Sequence, residues 1–118
     1  MSAESHHVQT DPDQSLTITI EGHTPHGMRH AVWFAQPGAT EWTPVGRGGE
    51  SDSHTIDPPV MENSQALVWT NLAGEEKEFE FSVTVSQNGA SAPGGGVIET
   101  GELSQSNARA VSTHLIFE

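Results

Sequence analysis

Seven histidines and three tryptophans carry most of the chemistry available to this chain, which has no cysteine and no tyrosine. The histidines are densest in His23-Thr24-Pro25-His26-Gly27-Met28-Arg29-His30. Neutral imidazole is the commonest protein ligand for zinc and copper, and the Met28 thioether suits copper in its reduced state. His23, His26 and His30 are therefore the candidate ligands for Zn2+ or Cu, on a loop whose two ends would approach each other. Arg29 in their midst opposes a bound cation, and the spacing matches no zinc motif, so ordinary loop histidines are the simpler reading.

A second cluster, Glu50-Ser51-Asp52-Ser53-His54-Thr55-Ile56-Asp57, offers the hard oxygen ligands that Ca2+ requires. It lacks the glycine and terminal glutamate of the twelve-residue calcium loop, which favours a solvated turn. The tryptophans divide differently. Trp69 lies in the apolar run 66–69, which assigns it to a core, whereas Trp33, in the run 31–35, is divided evenly between core and surface. Trp42 stands between Glu41 and Thr43, and Pro44 confines that segment to an edge or a loop. An exposed indole stacks on the apolar face of a sugar ring while nearby side chains bind the hydroxyls. Trp42, with Glu41, Asn71 and Asp52 as hydrogen-bonding partners, is the candidate ligand site.

Catalytic signatures are missing. No Gly-x-Ser-x-Gly turn occurs, and sixteen acidic residues can be paired in so many ways that a carboxylate pair carries no information. Gly46-Arg47-Gly48-Gly49 and Gly94-Gly95-Gly96 lack the Lys-Ser/Thr ending of a phosphate loop.

The elements that must position these residues are strands. Glu78-Phe79-Glu80-Phe81-Ser82-Val83-Thr84-Val85-Ser86 alternates polar and apolar residues without a break, the period of a sheet wetted on one face. Residues 16–20 and 111–117 repeat the pattern. Strands are expected at 15–22, 30–36, 41–46, 53–57, 65–71, 77–87, 96–103 and 109–117, with breakers such as Thr24-Pro25-His26-Gly27 and Gln87-Asn88-Gly89 between them. The spacing predicts an all-β, single-domain antiparallel β-sandwich of seven or eight strands, of Greek-key/Ig-like or jelly-roll type. Residues 1–14 hold little to bury and read as a flexible polar arm, with the sandwich over 15–118. The last two strands read as a hairpin around Gly101 to Asn107. The expected core is Leu16, Ile18, Ile20, Val32, Phe34, Leu67, Trp69, Phe79, Phe81, Val83, Val85, Val111, Leu115 and Phe117.

Composition bounds the partners. Sixteen acidic residues face four basic ones in 118 residues, a formal net charge of -12, which repels nucleic acid and anionic membrane. No basic stretch followed by an apolar run opens the sequence and no apolar run is long enough to span a bilayer, so a soluble, cytoplasmic protein is expected. The reading that fits best is a non-enzymatic, lectin-like carbohydrate-binding module, homo-oligomeric for avidity. A structural or protein-interaction domain is the alternative, and a metal protein or enzyme built on the histidine loop is the next.

Overall fold

The computed structural model describes residues 5–23, 27–74, 78–103 and 108–118. Their nine strands are β1 (Ser5–Val8), β2 (Leu16–Gly22), β3 (Gly27–Ala35), β4 (Thr43–Gly48), β5 (Ser51–Ile56), β6 (Gln65–Ala73), β7 (Glu78–Gln87), β8 (Ala90–Glu102) and β9 (Ala108–Phe117). They form a five-stranded sheet in the order β1-β9-β6-β3-β4 and a four-stranded sheet in the order β5-β2-β7-β8. All pairs are antiparallel except β1 with β9. No helix occurs among the described residues.

The alternating strands dictate this layering. Leu16, Ile18 and Ile20 of β2, Phe81, Val83 and Val85 of β7, and Leu115 and Phe117 of β9 are fully buried between the sheets. Each such side chain contributes about 1.5–3 kcal/mol on leaving water. Asn88 and Gly89 both adopt positive φ, at 52° and 78°. A two-residue hairpin needs that geometry, and the turn sets Gln87 opposite Ala90.

β6 decides what the first sheet presents outside. Its alternation places Ala66, Val68, Thr70 and Leu72 inside and Gln65, Leu67, Trp69 and Asn71 outside. Both sets are partly apolar, so hydrophobicity alone does not choose. The polar members do, because the reverse facing would bury the amides of Gln65 and Asn71. The observed facing buries only the Thr70 hydroxyl, which finds no partner among the described residues. Trp69 is 40% exposed and Leu67 half-buried, so neither belongs to the core expected from sequence. Val8, Met28, Ile56, Val60 and Val97 are core residues that sequence reasoning missed.

Two further expectations change. The polar arm is tied down over its described part: β1 pairs with β9, Val8 is fully buried, and Gln87 Nε2 donates to the carbonyl of Asp11 at 2.8 Å. One apolar residue in four was too weak a signal to mark β1. The expected hairpin between the last two strands is absent, since β8 pairs with β7 in one sheet and β9 with β6 and β1 in the other.

The two open edges of the sandwich are closed by opposite means. At one, β4 turns into β5 through Gly49 and Glu50, and the Gly22 N–H donates to the Glu50 carbonyl at 2.8 Å. At the other, β1 also lies against β8, with the Gln9 N–H on the Pro93 carbonyl at 2.9 Å. There Gly94 has φ of 81°, and a Cβ on it would collide with the His7 carbonyl. Gly94→Ala should therefore lower the unfolding free energy by more than about 1 kcal/mol. Gly89→Ala, also at positive φ but in open space, should cost less; urea denaturation of the two variants checks the order.

Candidate functional site

The outward positions of the first sheet gather all three tryptophans. Strand pairing sets Pro44, Trp33, Leu67, His114 and Ser5 side by side in one row across the five strands. The adjacent row runs Arg47, Ala31, Trp69 and Ser112, and the next Arg29, Asn71 and Ala110. Trp33 and Trp69 are thus diagonal neighbours on adjacent strands, close enough for their rings to form one surface. Trp42, from the segment before β4, joins Trp33, Leu67 and Trp69 around a shallow apolar depression. Trp42 and Trp69 are each 40% exposed. An apolar aromatic patch open to solvent is an arrangement that binding surfaces use.

His114 holds Trp42 in place. Its Nε2–H donates to Gln65 Oε1 at 2.7 Å, its Nδ1 accepts from the Ser5 hydroxyl at 3.0 Å, and its ring meets the Trp42 indole edge-to-face at 6.3 Å. Burial, then the proximity of His6 and His7, holds its pKa below the ordinary imidazole value. The neutral ring satisfies this bonding pattern.

A histidine pair lies at the β4–β5 edge, between the sheets. His30 is buried, its Nδ1 is 2.7 Å from the Gly49 carbonyl, and its Nε2 is 2.8 Å from Nε2 of His54. A neutral pair satisfies this in one way: Nδ1–H of His30 donates to Gly49, and Nε2–H of His54 donates to the bare Nε2 of His30. Room for the rings comes from β4, where a Cβ on Gly46 would collide with His54 and one on Gly48 with Asp52 and His30. Asp52 accepts from the Gly49 N–H at 3.1 Å. Burial, then His30, lowers the pKa of His54, with Asp52 acting in the opposite direction.

The residues expected from sequence are distributed over these features. Trp42 is on the tryptophan face, with Glu41 exposed beside it, and Asn71 lies on the same face beyond Trp69. Asp52 is elsewhere, on β5 of the other sheet. His23 bonds the Ser82 hydroxyl through Nε2 at 3.0 Å, whereas His30 turns inward to His54, and His26 lies outside the described residues. Among the described residues no group of three or more His, Cys, Asp or Glu side chains is arranged to hold a metal ion. The acidic segment considered for calcium is largely strand β5, whose successive side chains point to opposite faces and do not converge. Sequence reasoning placed Trp69 and Leu67 in the core, and the flanking amides Gln65 and Asn71 were the signal that would have put them outside; Trp33, left open between core and surface, is half-buried on the same face.

No protein-family model, curated protein or solved structure matches this chain. Among the described residues, no helix is long and apolar enough to cross a membrane.

Because the folded chain binds protons at His54 and His114 more weakly than the unfolded chain does, acid favours unfolding. Stability from both groups is complete above the unfolded value of about 6.5 and is lost as pH falls through the lower folded values. Urea midpoints should drop between pH 7.5 and 5.5, and His54→Gln should reduce the slope over that interval; an unchanged slope would contradict the assignment.

Proposed function

We propose that this protein is a non-enzymatic binding module that holds carbohydrate against the outer face of its five-stranded sheet. The observation that carries the reading is the gathering of Trp33, Trp42 and Trp69 on one open face. Indoles present a large apolar surface at low entropic cost, and sugar rings have apolar faces that stack on them. Asn71 and Gln65 on that face and Glu41 at its margin supply donors and acceptors for hydroxyls. Several copies joined through another surface would add avidity, so a homo-oligomer belongs to the proposal.

A Greek-key form of the sandwich also belongs here. β5 returns to lie beside β2, and β9 returns beside β6, which supports two interlocked four-strand keys.

The rival reading is a protein-interaction domain whose partner covers the same face, favoured by the continuity of Trp33, Leu67 and Trp69 with Trp42. Two variants separate the readings. Trp69→Ala and Trp42→Ala should each reduce glycan affinity about tenfold or more, as truncation of a central aromatic anchor does, without altering subunit number. Glycan-array profiling together with native mass spectrometry checks this. No glycan bound by the folded wild-type chain, or a change of oligomeric state in the variants, would favour the rival.

A further inference from the structure

Charge is divided between the two sheets. Among the described residues, the five strands of the first sheet hold Arg29, Arg47 and Arg109 and no Asp or Glu. The four strands of the second hold Glu21, Asp52, Glu78, Glu80, Glu99 and Glu102 and no Lys or Arg. A chain with sixteen acidic residues and four basic ones has therefore kept carboxylates off one sheet.

Arg109 donates to the Glu102 carbonyl at 3.1 Å and lies 5.4 Å over the Phe79 ring. Arg29 and Arg47 are exposed, and neither side chain makes a hydrogen bond or ion pair with a described residue. Both stand on the tryptophan face: Arg47 lies in the row of Trp69, and Arg29 is paired with Asn71 in the next. Arg29 and Asn71 also reach a depression of about 650 Å³ at the end of the sheet, which Arg109, paired with buried Leu72, enters from the inward side. Outward side chains along β6 recur about every 7 Å. Leu67, Trp69 and Asn71 thus mark a track that leads from the indoles to the arginines.

We propose that the ligand on this track is a polyuronate, an acidic polysaccharide with a carboxylate on each ring. This rests on the carbohydrate reading above and names its substrate class. A planar carboxylate matches the guanidinium fork in two parallel N–H···O bonds, and an Asn amide adds another donor. The carboxyl group lies at the edge of the ring, so both ring faces stay free to stack on indole. A neutral sugar would gain from carboxylate acceptors, which the five described strands lack; Glu41 stands at the margin of the face, and Glu118 pairs with His7. The net charge of -12 opposes a polyanion at long range, so affinity has to come from contacts of Arg29 and Arg47 with carboxylates on this face.

The test is isothermal titration at about 0.1 M salt with oligogalacturonate, a neutral cello-oligosaccharide of equal ring number, dextran sulfate and single-stranded oligothymidylate. Oligogalacturonate should bind most tightly. Arg29→Gln and Arg47→Gln, both at exposed positions, should each weaken it about tenfold with the fold intact by circular dichroism. Tight binding of the neutral oligosaccharide alone, lost in Trp69→Ala, would overturn the polyuronate assignment and leave the carbohydrate reading standing. Binding of none of the four would overturn both. Preference for dextran sulfate or oligothymidylate, or full retention of oligogalacturonate affinity in the arginine variants, would also overturn the assignment.

Discussion

The facing of β6 is the constraint on which the rest of the molecule depends. A strand has two faces, and a shift of one residue exchanges them. Had Leu67 and Trp69 gone inside, Gln65 and Asn71 would have followed, each with an amide that needs several partners in a dry core. The chain instead buries Ala66, Val68, Thr70 and Leu72 and leaves the Thr70 hydroxyl without a partner among the described residues. That hydroxyl is the smaller cost. The consequence is an open face on which an exposed indole, a half-buried leucine and two amides stand in one line.

The edges support the face from both sides. At the β4–β5 edge, glycines at 46 and 48 leave space for His54, His30 and Asp52 between the sheets. Arg47, between those glycines, is thereby left to project outward in the row of Trp69. On the other side β1 extends the sheet, and its Ser5 hydroxyl reaches the His114 ring that braces Trp42. Edge closure and the tryptophan face thus share strands β1 and β4. The pH sensitivity of the two histidines accordingly bears on the fold as well as on the orientation of Trp42.

What the sequence made legible follows from how one-sided each strand is. β2, β7 and β9 alternate cleanly, and their faces and most of their core residues could be read directly. β6 has apolar residues on both faces, so reading it by hydrophobicity alone sent Trp69 inward; counting amides would have sent it out. β1 is too short and polar to register as a strand, and its single buried residue, Val8, matters only because β9 lies beside it. Of the candidate ligand residues, Trp42 and Asn71 fall on one face because they belong to the same sheet. Asp52 does not, since the β4–β5 turn carries it to the other sheet. Likewise His30 meets His54, which lies 24 positions further along the chain, a pairing that local spacing cannot reveal.

The proposed ligand site is the tryptophan-bearing face, whose described strands hold no Asp or Glu. The most direct measurement is to map amide and indole N–H chemical shifts as oligogalacturonate is added to the isotopically labelled protein. The account predicts that the three indole signals move together with amides of residues 29–33 and 67–71, while amides of β2, β5 and the centre of β7 stay in place. Shifts confined to the acidic sheet, or indole signals unmoved at saturation, would contradict it.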